Sequence, residues 1–226
     1  MEIFLNSVDP EVIKNLMSIY PLAGVTTNHK MIGALGKVPY ADTIRAIREA
    51  CGEKKFFTQV VSPDYEGMLK EAEYICKLAG DKTYVKLPSN EVGVKAIRTL
   101  HNSGYNTCGT LVFSTIQATM MLEAGADYVA SFYSYMVNRK MDPDKMMAEI
   151  AAYIKNSGCK GKLMGAGFRT IEQVGIGIGS SDCININPDN LVEWMAYAPA
   201  TETAQEFLDG FEEAWGVGTT ILDFMQ

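Results

Sequence analysis

The sequence predicts an α/β chain built as a (β/α)8 barrel, a TIM barrel, with an additional C-terminal helix. Three observations predict it. Short apolar runs of strand length alternate with longer amphipathic ones eight times along 226 residues. The segments between them carry helical start and stop signals. The turn after the first strand contains no glycine. An open doubly wound sheet, the runner-up, usually places a Gly-rich phosphate loop there.

Strands are expected at Glu2–Asn6, Leu22–Thr26, Phe56–Val61, Thr83–Leu87, Thr107–Val112, Asp127–Phe132, Lys162–Gly167 and Asp182–Ile186. The first helix, Asp9–Tyr20, opens with an N-cap aspartate followed by proline at the first helical position. Tyr65–Ala79 carries Met68, Ala72, Ile75 and Leu78 on one side. Pro143–Asn156 begins after Asp142 and closes near Gly158. Pro188–Tyr197 starts after Asn187 in the same manner. Gly175-Ile176-Gly177-Ile178-Gly179 lacks the spacing of a nucleotide loop and follows a helix, so it reads as an αβ turn. The barrel is assigned residues 1–200 and a helical tail residues 201–226. In that tail Phe207, Phe211 and Trp215 fall on one face, which needs a cover from the barrel or from a neighbouring subunit.

A net charge of −7 argues against nonspecific binding to nucleic acid or an anionic membrane. No apolar run reaches membrane-spanning length, and the N-terminus lacks a signal-peptide pattern. The five cysteines are widely spaced, with no Cys-x-x-Cys and no Cys/His cluster, so neither a zinc site nor a disulfide frame is expected. The expected address is a reducing cytoplasm.

Lys86, in Thr83-Tyr84-Val85-Lys86-Leu87-Pro88, is the candidate nucleophile. Strand alternation puts Val85 and Leu87 on one face and Tyr84 and Lys86 on the other. If both faces are covered, burial lowers the amine pKa, and a neutral lysine can form a Schiff base with a carbonyl. A structural reading of the same residue is a solvated or ion-paired strand-end lysine. In a barrel, chemistry sits at the C-terminal strand ends. The polar residues there are Asn6, Thr26, Thr27, Asn28, Gln59, Lys86, Thr110, Ser131 to Tyr135, Arg169, Asn185 and Asn187. Carboxylates are missing and only His29 lies near the mouth, a set poor for metals and suited to polyhydroxyl recognition.

Leu22-Ala23-Gly24-Val25-Thr26-Thr27-Asn28, Val85-Lys86-Leu87-Pro88, Gly109-Thr110 and Ala166-Gly167-Phe168-Arg169-Thr170 resemble successive strands of the short transaldolase family, the group containing fructose-6-phosphate aldolase. The resemblance runs from Glu2 to about Trp215. It implies a class I aldol mechanism with Lys86 as Schiff-base lysine, Asn28 on a donor hydroxyl, and Gln59 and Thr110 holding the water that shuttles protons. No cofactor or metal is implied, because the imine serves as the electron sink. The implied ligand is a small sugar or sugar phosphate, and the implied assembly a pentameric or decameric ring of identical subunits.

Four positions depart from the family pattern. Asn6 stands where the family has an aspartate; an amide orients a hydroxyl but does not take its proton. Phe132 replaces the aldolase tyrosine and matches true transaldolases. The phosphate-binding arginine is replaced by Tyr135 in a gapless alignment, and is recovered as Arg139 if four residues are inserted; the gapless version is preferred on packing grounds. Gly167 replaces a serine, although Arg169 remains. The missing acid/base group falls to Tyr135 if the sixth strand continues that far, and to Tyr133 if it breaks at Phe132. The expected catalytic set is thus Lys86, Asn6, Gln59, Thr110 and Tyr135, with Thr27, Asn28, Phe132, Gly167 and Arg169 binding substrate. The alternatives are a transaldolase proper and, in another class, a non-catalytic sugar-binding or ring-forming descendant.

Overall fold

The computed structural model describes residues 1–225. Eight parallel strands close into a barrel in sequence order. They are β1 (Glu2–Asn6), β2 (Gly24–Thr26), β3 (Lys55–Gln59), β4 (Thr83–Pro88), β5 (Asn106–Val112), β6 (Tyr128–Phe132), β7 (Lys162–Ala166) and β8 (Cys183–Ile186). Closure is direct: Glu2 of β1 pairs with Cys183 of β8. The expected (β/α)8 architecture and its C-terminal helix are therefore present. Strand ends move where side chains take over the ladder. Expected strand 3 runs to Val61, but the Val61 amide donates to the Glu71 carboxylate at 2.6 Å and β3 stops at Gln59.

The helices on the barrel are α1 (Pro10–Ile19), α2 (His29–Ala34), α3 (Tyr40–Cys51), α4 (Tyr65–Ala79), α5 (Glu91–Asn102), α6 (Thr115–Glu123), α7 (Tyr133–Val137), α8 (Pro143–Ser157) and α9 (Ile171–Ser180). Most start as their sequences dictate. Asp9 accepts from the amides of Glu11 and Val12, Asp64 from Gly67, Asn90 from Gly93, and Asp142 from Lys145.

Helix α9 corrects the reading of Gly175–Gly179 as a turn: all five residues are helical. Thr170 caps the helix by accepting from the Gln173 amide. Each glycine disfavours a helix by about 1 kcal/mol relative to alanine. Gly177 is required for packing, because a Cβ there would meet Phe168 Cζ at 2.2 Å. Gly177 thus lets the Phe168 ring pack against the helix, a tertiary contact that local propensity does not reveal.

The barrel interior is layered. Phe4, Phe57, Cys108, Tyr128, Ala130, Met164 and Cys183 form one cluster, with Tyr84 packed against it. Phe57 stacks on Tyr84 at 4.7 Å between centroids, and Tyr128 meets Tyr84 edge-on at 5.2 Å. Fully burying each large apolar side chain contributes about 1.5–3 kcal/mol. Below this layer, at the N-terminal strand ends, the Glu2 carboxylate receives hydrogen bonds from Lys55, from Lys162 at 2.9 Å and from the Tyr128 hydroxyl at 2.9 Å. Burial opposes its charge, but the donors from Lys55, Lys162 and Tyr128 outweigh it and hold its pKa at about 2.

By contacts the chain divides into Met1–Pro188 and the remainder from Asp189. The second unit holds α10 (Pro188–Met195) from its second residue, α11 (Ala198–Trp215) and a short 3-10 turn, Ile221–Phe224. Helix α11 buries none of its own residues. Phe211 and Trp215 pair at 6.2 Å, and Trp215 meets Phe224 at 5.0 Å. Among the described residues no helix is long and apolar enough to cross a membrane.

Candidate active site

At the C-terminal mouth of the barrel lies a cavity of about 240 Å³. Asn6, Asn28, Asn185 and Asn187 line it from the ends of β1, β2 and β8. Ala130, Phe132, Tyr135, Met164, Ala166, Gly167, Phe168 and Arg169 line it from β6, β7 and the connections that follow, and Lys86 completes it.

Lys86 is 5 % exposed, one layer above Tyr84 on the inward face of β4. Its Nζ donates to the Thr27 carbonyl at 3.1 Å. Burial drives the amine below the ordinary lysine range, opposed by Cys108 beside it on β5. That opposition needs a thiolate, and burial pushes the Cys108 thiol up to about 12. The thiol is therefore neutral at neutral pH, and desolvation decides the state of Lys86. Burial thus favours the neutral amine, and one of its N–H groups is held by the Thr27 carbonyl.

Thr27 thus acts through its backbone. Its hydroxyl donates to the Phe57 carbonyl at 3.3 Å, it is fully buried, and it is not among the lining residues. Asn28 lines the cavity while capping α2: its Oδ1 accepts from the Met31 amide at 3.0 Å, so its Nδ2 is the group available to a ligand oxygen. Asn6 joins a neutral network. Its Nδ2 donates to Asn187 Oδ1 at 2.8 Å, and the Thr26 hydroxyl lies 3.0 Å from Asn6 Oδ1 and 2.8 Å from Asn185 Oδ1. That hydroxyl has one proton to donate between the two amides. The Asn185 and Asn187 contribution was visible in the sequence only as strand-end polarity; barrel closure brings both to Asn6.

Gln59 and Thr110 do not line this cavity. Gln59 is in register with Lys86 on β3 and lines a separate pocket with Tyr40, Val61, Glu71, Tyr74 and Ile75. Thr110 is fully buried and its hydroxyl has no hydrogen-bond partner. An unpaired buried hydroxyl costs about 1–3 kcal/mol, a cost that a bound water or ligand removes. His29, considered as a pocket residue, is exposed at the start of α2 and is not part of the lining.

Strand β6 breaks at Phe132 and α7 follows at once. On the expectation above, the break should favour Tyr133. The helical turn reverses that. Tyr133 is buried against Phe168 and donates its hydroxyl to Asp144 at 2.5 Å. Burial and then the bond to Asp144 drive its pKa upward. Tyr135, three residues past Phe132, shares its face of the helix and returns to the cavity, its ring 5.6 Å from that of Phe132. Because α7 is a rim turn rather than barrel wall, the packing objection to an insertion does not hold there. Arg139 follows it, donating to the Tyr135 carbonyl at 3.1 Å, with its guanidinium 5.5 Å from the Phe113 ring; it does not line the cavity.

Gly167 adopts φ +79, a conformation that strains any side chain, so a serine here would be disfavoured by backbone geometry alone. Arg169, exposed at the rim, has no ion pair among the described residues. Its backbone amide donates to Gln173 Oε1 at 2.9 Å, which fixes the loop. The lining contains no carboxylate, and among the described residues no group of three or more His, Cys, Asp or Glu is placed to hold a metal ion.

A closed (β/α)8 barrel with a buried lysine at its mouth, in a cavity lined by four asparagines, defines a class of lysine-bearing barrel. Over residues 3–220 the chain matches the family described as Transaldolase/Fructose-6-phosphate aldolase, and it belongs to that family. It is 31% identical over 219 residues to a probable fructose-6-phosphate aldolase of Streptococcus pneumoniae (strain ATCC 700669 / Spain 23F-1), covering 96% of this chain and 97% of that protein. It is 34% identical over 218 residues to a probable transaldolase of Kosmotoga olearia, covering 94% and 97%. A probable transaldolase of Geotalea uraniireducens (strain Rf4) is 30% identical over 215 residues, covering 94% and 99%.

Proposed function

We propose that this protein is a class I aldolase that cleaves or transfers a dihydroxyacetone unit from a ketose such as fructose 6-phosphate through an imine on Lys86. The observation that carries the reading is the burial of the Lys86 amine, with a single fixed hydrogen bond, inside a cavity walled by four asparagines. The neutral amine adds to the ketose carbonyl to give a carbinolamine, which loses water to form the iminium. Removal of the C4 hydroxyl proton breaks the C3–C4 bond; its electron pair moves into the enamine and an aldehyde leaves. The enamine is then protonated and hydrolysed to dihydroxyacetone and free Lys86, or it adds to an acceptor aldehyde. Asn28 holds a donor hydroxyl, and Asn6, Thr26, Asn185 and Asn187 hold the others.

Tyr135 is the proton-transfer group in this reading. Lys86, Tyr135 and Arg169 are the ionisable side chains of the lining, and an arginine does not exchange protons near neutral pH. Gln59 and Thr110 hold the shuttling water behind Lys86, which fits the unpartnered Thr110 hydroxyl. Arg169 receives an anionic end of the substrate. Borohydride reduction in the presence of ketose should add the substrate mass at Lys86; no adduct with any of several ketoses or aldehydes would sink the proposal.

Phe132 in the lining favours a second reading, transaldolase proper. Fructose 6-phosphate turnover with and without erythrose 4-phosphate separates the two, since a transaldolase turns over only with the acceptor. The neutral Asn6 network favours a third, a non-catalytic sugar-binding ring protein, against which a substrate adduct in the same trapping experiment would count. A ring of five or ten identical subunits is part of the proposal. It is supported by the exposure of Phe207, Trp215 and Ile221 in the tail, and native mass spectrometry tests it. Five unpaired cysteines fit a reducing cytoplasm.

A further inference from the structure

Strand β5 carries a bulge. Gly109 pairs with Val129 and Val112 with Ser131, so one extra residue sits on β5 opposite Ala130. Leu111, within the bulge, adopts φ +59, a left-handed conformation rare for a branched side chain. The extra residue changes which face later side chains take. Cys108 faces the interior and Thr110 follows it by alternation, whereas Val112 pairs with outward-facing Ser131. The bulge therefore lets β5 present Thr110 inward at the level above Lys86 and still return an apolar side chain to the helix layer.

Such a conformation persists when its surroundings hold it. Ser89 does so directly: its amide donates to the Thr110 carbonyl at 2.9 Å and its hydroxyl to the Leu111 carbonyl at 2.5 Å. Gln117, in the first turn of α6, ties Ser89 to the far side of the bulge. Its Nε2 donates to the Ser89 carbonyl at 3.0 Å, and its Oε1 accepts from the Phe113 amide at 3.0 Å and the Ser114 hydroxyl at 3.2 Å. One amide thus spans the ends of β4 and β5, using both of its polar atoms.

We propose that Gln117 is a positioning residue for proton transfer: by clamping Ser89, whose amide holds the Thr110 carbonyl, to Phe113 it fixes the end of β5 that carries the inward-facing Thr110 hydroxyl. This rests on the reading of Thr110 as a holder of the shuttling water. Gln117 does not line the cavity, so it acts on Thr110 and not on substrate.

The test separates imine formation from enamine protonation. Wild type, Thr110→Val, Gln117→Leu and the Thr110→Val/Gln117→Leu double variant are incubated with dihydroxyacetone. Borohydride trapping measures the Lys86 imine, and deuterium uptake into dihydroxyacetone in D2O measures enamine protonation. All four should trap to the same stoichiometry. Thr110→Val and Gln117→Leu should each slow deuterium uptake by about tenfold or more. The double variant should be no slower than Thr110→Val alone, a non-additivity that a merely structural role does not produce. Gln117→Glu keeps the acceptor for Phe113 but loses the donor to Ser89, and should slow uptake to an intermediate extent; it also serves if Gln117→Leu does not fold. Wild-type uptake in a folded Gln117 variant, no effect of Thr110→Val, or multiplicative losses in the double variant overturns the proposal while leaving the Lys86 imine intact. A wild type that traps nothing overturns both.

Discussion

Lys86 and Thr27 are joined by a 3.1 Å hydrogen bond from the buried amine to a backbone carbonyl, across 59 residues of chain. The bond orients the amine without neutralising it or supplying a counter-charge. A carboxylate in the same place would stabilise the ammonium and disable the nucleophile. The Thr-Thr-Asn segment thus holds Lys86 through the Thr27 backbone and presents the Asn28 side chain to the cavity.

Replacing Lys86 by methionine should abolish activity and raise stability at neutral pH by about 1–2 kcal/mol, read from thermal or urea unfolding. The amine's folded pKa is lowered from 10.5, so between the folded and unfolded values the unfolded chain binds more protons. Wild-type stability should therefore rise with pH across that interval, and Lys86→Met should lose that slope. A variant less stable than wild type at neutral pH would contradict the burial argument.

Tyr135 and Tyr133 should separate cleanly. Tyr135→Phe should lower the rate of proton transfer by about a hundredfold or more, with imine trapping preserved. Tyr133→Phe removes the hydroxyl bonded to Asp144 and should cost about 1 kcal/mol of stability while changing the rate little. Steady-state kinetics with thermal melts on both variants decide; the reverse order of effects would move the acid/base role to Tyr133.

Asn6→Asp restores a titratable group to the neutral network. It should raise the proton-transfer rate by about tenfold or more, with a new carboxylate limb in the pH–rate profile. Loss of the Nδ2 donation to Asn187 should cost about 1 kcal/mol. An unchanged pH profile would mean that position 6 only orients hydroxyls in this protein.

The floor of the barrel predicts acid sensitivity. The Glu2 carboxyl is held at about 2 from an ordinary 4.5. A depressed carboxylate contributes stability that is fully present above 4.5 and lost as pH falls towards 2. Glu2→Gln should remove roughly 2 kcal/mol at neutral pH, once screening by solvent is allowed for, and should flatten this part of the acid limb in denaturation curves.

Helix α9 offers a paired test of its glycines. Gly179→Ala meets open space and should stabilise by about 0.5–1 kcal/mol. Gly177→Ala drives a methyl into Phe168 and should destabilise by about 1–3 kcal/mol. Because Phe168 also lines the cavity, the second change should lower activity as well.

By itself the sequence determined the alternation of strands and helices, the caps that start most of the helices, and Lys86 on the face of the fourth strand opposite Val85 and Leu87. These follow from local periodicity and chain chemistry, which neighbouring residues specify. Tertiary structure decided the rest. It placed Gly175–Gly179 in a helix, with Gly177 packed against an aromatic ring outside that segment. It brought Tyr135 rather than Tyr133 to the cavity, because the strand breaks and a helical turn, with a period nearer four than two, carries residue 135 back to Phe132. It joined Asn6 to Asn187 across 181 residues, and it left Thr110 buried without a partner. Barrel closure brings all eight strand ends to one mouth, so what each side chain can reach there depends on strands far away in the chain.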